Sequence, residues 1–163
     1  DEYNKSLLHL SPTIAVINNI DFEHIECYND IDDLKDTFLQ FANSVPFYGT
    51  VCACKDSNNV ASILSKIDKP IITYGIESQN VDIKAENLHQ ENGTISFDVK
   101  VKNQIFSVNL SVPGKYNAYN ALAALSVCET MGIDLESACK ALSNFSGVKR
   151  RFDIKANKDI MRP

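Results

Sequence analysis

Residues 113–120 read PGKYNAYN and join an apolar, strand-like run to a long Ala-rich segment. Pro113 and Gly114 end the strand-like run, and a helix is expected to begin near Asn117. Asn is common at helix starts, because its side-chain oxygen accepts a hydrogen bond from an unpaired backbone N–H. Asn117 and Asn120 are three residues apart, so a helix places them on one face. An amide carries a donor and an acceptor, so this pair can read the edge of a purine base. The alternative is that both residues only order the start of the helix.

Upstream of this stretch, apolar and polar residues alternate. The alternation over residues 95–101 has a period of two, which is typical of an antiparallel strand with one buried face. Asn92 and Gly93 precede it and are a common hairpin turn. Residues 81–112 are therefore predicted to form a small three-stranded antiparallel meander, separate from the main sheet.

The first half of the chain shows a different pattern. Residues 13–17, 50–54 and 70–74 are short apolar runs rich in β-branched residues. Between them lie segments with helical spacing, which begin after Asp30 and Ser57. Alternation of strands and helices with short connections is typical of a parallel sheet. The predicted fold class is α/β, a mainly parallel sheet with helices on both faces plus the small meander.

Composition limits the function classes. The 163 residues suit one domain, and a formal net charge of −5 argues against a nucleic-acid surface. No apolar run approaches the roughly 20 residues of a membrane helix, so no membrane insertion is expected. The five cysteines form no C-x-x-C pair, which indicates free thiols and a cytoplasmic location. The chain starts at Asp1 without an initiator Met, and we expect it to be a piece of a longer protein.

Two further sites are candidates for binding. His24 lies among carboxylates in the loop after the first predicted strand, where ligands of open α/β sheets bind, so it is a candidate metal ligand. A histidine exposed among solvated carboxylates is the alternative. Residues 149–151 are Lys-Arg-Arg, which can contact an anion or simply form a solvated face. No phosphate-binding G-x-x-x-x-G-K-[ST] motif occurs in the sequence.

Taken together, these segments resemble the Mur ligases. The matching stretches are residues 1–12, residues 15–20 with His24, residues 45–49, residues 73–75, residues 114–121 and residues 147–152. They follow the family's order and spacing over nearly the whole chain. The Pro-Phe-Tyr-Gly stretch at residues 46–49 and the Lys-Arg-Arg-Phe ending at residues 149–152 favour its alanine-adding branch.

The resemblance implies that residues 1–163 are one partial domain, the latter part of the family's central ATP-binding domain. The amino-terminal UDP-sugar domain, the P-loop and the carboxy-terminal domain would then be absent. Without the P-loop strand, the sheet would have an exposed edge through which the chain could self-associate. The fragment by itself is therefore expected to be inactive.

The chemistry implied by the resemblance is ATP-driven amide bond formation in peptidoglycan precursor synthesis. ATP, UDP-N-acetylmuramate and L-alanine would be the partners of the full-length enzyme, and Mg²⁺ its metal. His24 matches the family's metal ligand, Asn117 and Asn120 match the pair at the adenine, and Arg151 matches an Arg that contacts the nucleotide. Tyr116 departs from the family's usual His.

Other functions remain open at this point. Within the family, a murein-tripeptide recycling ligase or a folylpolyglutamate synthetase-like enzyme shares many of these residues. Outside it, the chain could be a non-catalytic nucleotide-binding or interaction module. The sequence upstream of Asp1 would distinguish these classes, because a ligase requires a P-loop there.

Overall fold

Six strands form one sheet in the computed structural model, which describes residues 5–22, 27–145 and 147. The strands follow one another across the sheet in chain order. They are β1 (Ile14–Ile17), β2 (Thr50–Cys54), β3 (Ile71–Gly75), β4 (Ile83–Glu91), β5 (Thr94–Val101) and β6 (Gln104–Leu110). The α-helices are α1 (Ile31–Asn43), α2 (Asn58–Ile63), α3 (Lys115–Thr130) and α4 (Leu135–Ser143), and short 3-10 helices cover Ser6–His9 and Leu64–Lys66.

The first half of the chain has the predicted parallel arrangement. β1 pairs parallel with β2, and β2 pairs parallel with β3. The predicted helix starts are confirmed by their hydrogen bonds. The Asp30 carboxylate accepts from two amides at the start of α1, and the Ser57 hydroxyl accepts from the Val60 amide in α2.

The meander has three antiparallel strands as predicted, but it is not separate from the main sheet. β4 pairs parallel with β3, with Ile83 opposite Tyr74 and Lys84 opposite Gly75. Parallel neighbours usually need a long crossover, because the chain must return along the length of a strand. Here β4 starts beside the carboxyl end of β3 and continues beyond it, so the short loop of residues 76–82 suffices. The prediction of a separate meander was therefore wrong.

Helices cover both faces of the sheet, as predicted. Val51 and Ala53 of β2 pack on one side with the buried residues of α1 and α2. Cys52 and Cys54 alternate with them and pack on the other side with α3 and α4. All five cysteines are free thiols. Both faces of β2 are therefore buried, which explains its continuous apolar sequence.

The strand β1 lies at one edge of the sheet. Among the described residues it pairs only with β2, and Val16 on it is 39% exposed. Self-association through this edge stays a prediction. Within the part of the chain that the structure describes, no helix has the length and apolar character needed to cross a membrane.

Candidate functional site

The start of α3 carries the two asparagines. The helix begins at Lys115, two residues earlier than expected, directly after Gly114. Gly114 has a φ of 100°, a conformation that side-chain-bearing residues rarely adopt. The N-cap residue is Gly114, and Asn117 lies within the first turn, where its Nδ2 donates to the Pro113 carbonyl at 2.7 Å. The interpretation of Asn117 as the helix cap was therefore wrong.

Asn120 is held by one residue that follows β1 and, through it, by a residue of β3. Nδ2 of Asn18, just after β1, donates to Oδ1 of Asn120 at 3.3 Å. The hydroxyl of Tyr74 in β3 donates to Oδ1 of Asn18. Tyr74 is fully buried, so this chain of hydrogen bonds runs from the core to the helix surface.

A cleft of about 460 Å³ opens on one side of these asparagines. We call it the apolar cleft, because most of its walls are hydrocarbon. It is lined by Leu110, Val112, Pro113, Gly114, Tyr116, Asn117, Asn120, Ala121, Ala124, Leu142, Phe145 and Gly147. The small side chains of α3 leave room between that helix and the end of α4. A flat, apolar ligand with a polar edge fits such walls.

A second cleft of about 380 Å³ lies on the other side of Asn120 and Tyr116, at the carboxyl ends of β1 and β2. We call it the polar cleft. It is lined by Asn18, Asn19, Asp21, Cys54, Asp56, Ser57, Tyr116, Tyr119 and Asn120. The two clefts share Tyr116 and Asn120, so one extended ligand can occupy both.

Asp56 organises the polar cleft, and sequence reasoning missed it. Its carboxylate accepts hydrogen bonds from the backbone amides of Ile76, Glu77 and Ser78 at 2.6–2.8 Å. It also accepts from the Tyr119 hydroxyl at 2.9 Å. Burial alone would raise the pKa of Asp56, but the hydrogen bonds from Ser78 and the neighbouring amides outweigh it and hold the pKa well below its usual value. The signal in the sequence was an acidic residue just beyond the end of a buried strand.

Two neighbours complete the support of the loop of residues 76–78. A Cβ on Gly75 would lie 2.6 Å from Oδ1 of Asp56, so the close approach of strand and carboxylate needs a glycine. Lys84 is buried, and its Nζ donates to the carbonyls of Ile76 and Ser78 at 2.7 and 2.8 Å. The amides of the loop therefore donate to the Asp56 carboxylate, and two of its carbonyls accept from the Lys84 ammonium group.

Helix α3 is attached to the same loop. Lys115 forms an ion pair with Glu77, and its Nζ lies 5.8 Å from the centre of the Tyr119 ring. Burial and then the hydrogen bond to Asp56 raise the pKa of Tyr119 well above its usual value, so its hydroxyl stays protonated and donates. These contacts fix the start of α3, and with it the two asparagines, against the ends of the strands.

The other predicted site residues, His24 and Arg151, lie outside the described residues. Gly147 lines the apolar cleft. No group of three or more His, Cys, Asp or Glu side chains in residues 5–22, 27–145 and 147 could hold a metal ion. Asp56 is saturated by its donors, and Asp21 accepts from Asn19 at 2.6 Å.

Comparison with known proteins identifies the family to which this chain belongs. The family model described as "Mur ligase middle domain" matches residues 2–128. The UDP-N-acetylmuramate–L-alanine ligase of Sulfurihydrogenibium is 44% identical over 99% of this chain, which spans 35% of that protein. The chain thus spans about a third of the length of the curated relatives it matches.

Solved structures share the fold at low identity. UDP-N-acetylmuramate–alanine ligase from Thermotoga maritima has a TM-score of 0.80 and 24% identity, over 98% of this chain and 35% of that one. A MurF ligase from the same organism, crystallised with ADP, has a TM-score of 0.76 and 18% identity, over 90% of this chain and 34% of that one. The match of the family model over most of the sequence shows that this chain belongs to the Mur ligase family.

Proposed function

We propose that this chain binds the adenine nucleotide of an ATP-dependent ligase, with the base in the apolar cleft and the phosphates on the side of the polar cleft. The observation that carries the proposal is the position of Asn117 and Asn120, which line one apolar cleft with their amides fixed by other residues. An amide pair at the wall of such a cleft gives a planar base both a donor and an acceptor, while the hydrocarbon walls contact its faces.

For the whole protein we propose ligation of L-alanine to UDP-N-acetylmuramate, a step of peptidoglycan precursor synthesis in the cytoplasm. The relatives that cover nearly all of this chain carry the name of that enzyme. In this reaction the γ-phosphate of ATP passes to the muramate carboxylate. The amine of L-alanine then attacks the acyl phosphate, and phosphate leaves. Five free thiols are consistent with a reducing compartment.

The described residues contribute binding and positioning to this reaction. Phosphoryl transfer depends mostly on the placement of the nucleotide and on neutralisation of charge. The apolar cleft would place the base. The Asp56 network would keep the ends of β2 and β3 fixed relative to the start of α3, so that the phosphates leave the base in one direction. Residues 1–163 would be the latter part of the central ATP-binding domain, with the P-loop, the UDP-sugar domain and the carboxy-terminal domain encoded elsewhere in the protein.

Two predicted site residues remain part of the proposal. His24 would be a ligand of Mg²⁺, which supplies charge neutralisation at the phosphates when it is bound. Arg151 would contact the nucleotide. A His24→Ala protein that turns over normally with unchanged magnesium dependence would remove His24 from the site.

The test is steady-state kinetics of the full-length protein with ATP, UDP-N-acetylmuramate and L-alanine. We expect phosphate release that depends on all three, and a KM for ATP raised roughly three- to tenfold by Asn117→Ala or Asn120→Ala, the worth of one hydrogen bond. Because it lacks a P-loop motif, the 163-residue chain alone should not hydrolyse ATP. Unchanged ATP kinetics in both variants would contradict the assignment of the base site. Activity with a murein tripeptide instead of L-alanine would favour the recycling ligase.

A further inference from the structure

The hydrogen bonds behind Asn120 have a direction, and that direction decides what Asn120 can offer to a ligand. Tyr74 is fully buried, and burial raises the pKa of its hydroxyl, which therefore keeps its proton. A buried hydroxyl proton needs an acceptor, and Oδ1 of Asn18 is the acceptor that the structure provides. The opposite orientation of the Asn18 amide would leave that proton without a partner in the core.

The orientation of Asn18 is passed on to Asn120. With its oxygen engaged by Tyr74, Asn18 presents Nδ2, and Nδ2 donates to Oδ1 of Asn120. Asn18 lines the polar cleft and not the apolar one, so Oδ1 of Asn120 is directed to the polar side. The opposite end of the same amide is Nδ2, a donor, which is left for the apolar cleft.

We propose that Tyr74 and Asn18 are positioning residues that fix Asn120 as a hydrogen-bond donor to a ring nitrogen of the base. The inference rests on the proposed adenine site. Asn117 is fixed differently, through the bond from its Nδ2 to the Pro113 carbonyl, which leaves its Oδ1 to accept from the base. The cleft then offers one acceptor and one donor. Adenine has the complementary edge, an amino group beside a ring nitrogen, whereas a 6-oxopurine presents an oxygen where the amino group is required.

A substitution that hardly changes the side-chain volume can invert the orientation of the Asn120 amide. In Asn18→Asp, one carboxylate oxygen still accepts from Tyr74, and the other replaces the donor that faces Asn120. Asn120 must then turn its Nδ2 towards Asp at position 18 and its oxygen towards the base. Asn18 is exposed, so the fold should tolerate the substitution. Tyr74→Phe removes only the hydroxyl and leaves the orientation of Asn18 undetermined.

The experiment compares the binding of ATP, 7-deaza-ATP and 1-deaza-ATP to the full-length protein by calorimetry. Each deaza analogue replaces one ring nitrogen of adenine by C–H. We expect the unaltered protein to bind ATP roughly three- to tenfold tighter than one of the two analogues, because one hydrogen bond is lost. In Asn18→Asp this ratio should fall to about one, and in Tyr74→Phe to an intermediate value. The added charge of Asp cancels in the ratio, since all three ligands carry the same phosphates.

A ratio that is unchanged in Asn18→Asp overturns the inference. So does the absence of a preference for ATP over either analogue in the unaltered protein. These outcomes are distinct from failure of the proposed function, in which the unaltered full-length protein does not bind ATP, or binds it equally well after Asn117→Ala and Asn120→Ala.

Discussion

The apolar and polar clefts meet at Tyr116 and Asn120 but are built in different ways. Most of the apolar cleft comes from one continuous piece of chain, from the end of β6 through the first turns of α3. The polar cleft is assembled from the ends of strands that are far apart in sequence, and the hydrogen bonds of Asp56 hold it together.

The polar cleft and the apolar cleft are therefore expected to differ in what they contribute, the first to stability and the second to ligand binding. The polar cleft is a fixed framework, in which a carboxylate and a lysine satisfy the loop of residues 76–78 before any ligand arrives. The apolar cleft is an open space with small side chains on one wall. Changes in the framework should therefore appear as loss of stability, and changes in the open cleft as loss of nucleotide binding.

The largest expected effect comes from removing the centre of the framework. Asp56→Ala leaves three backbone amides and the Tyr119 hydroxyl without their acceptor, and we expect the free energy of unfolding to fall by about 3 kcal/mol. Urea denaturation of the 163-residue chain measures this value. Asp68→Ala is the matched control, because the Asp68 carboxylate is exposed and, among the described residues, forms an ion pair with Lys69 alone, so its loss should cost less than about 0.5 kcal/mol. Equal losses in the two variants would refute the role of Asp56.

A smaller effect is expected on the carbonyl side of the same loop. Lys84→Met keeps the aliphatic chain but removes the donors to Ile76 and Ser78, at an expected cost of about 2 kcal/mol. Lys100 lies opposite Lys84 on β5 and is exposed. Lys100→Met is therefore the control, and its unfolding free energy should remain close to that of the unaltered chain. A cost for Lys100→Met as large as that for Lys84→Met would show that the loop contacts contribute nothing.

Changes in the apolar cleft should lower nucleotide affinity and leave stability nearly unchanged. Ala124 is exposed and lines the apolar cleft, so Ala124→Trp should fill the space for the base and weaken ATP binding at least tenfold, with little change in thermal stability. Ala141 is exposed on α4 and does not line the cleft, so Ala141→Trp is the matched control. ATP titration of both full-length variants by calorimetry makes the comparison. Normal affinity in Ala124→Trp would place the base elsewhere.

The smallest effect concerns pH. The pKa of Asp56 is lower in the folded chain than the ordinary value of about 3.9. Its ionised form therefore contributes stability that is complete well above pH 4 and is lost as the pH falls through the folded pKa. The difference in unfolding free energy between the unaltered chain and Asp56→Asn should shrink by roughly 1 kcal/mol from pH 6 to pH 3, since partial exposure screens the interaction. If this difference in unfolding free energy grew on acidification, it would contradict the predicted direction of the pH dependence.

The contrast between the clefts also explains what the sequence could predict. Asn117 and Asn120 lie in a local motif, so their shared face follows from helical spacing. Asp56 depends on the approach of Gly75 and the loop after it, and no local pattern reports that contact. The continuity of the sheet was missed for a similar reason. Ile83 pairs with Tyr74 because the start of β4 lies beside the end of β3, and no local sequence pattern indicates this offset. The alternation of residues 95–101 indicates only that an antiparallel strand exists.

A crystal structure of the full-length protein with a non-hydrolysable ATP analogue would show directly whether the base binds in the apolar cleft. We expect the adenine ring in the apolar cleft, within hydrogen-bond distance of Oδ1 of Asn117 and Nδ2 of Asn120, with the phosphates extending past Tyr116 towards the polar cleft. A base bound at any other place, with the apolar cleft left empty, would contradict this prediction.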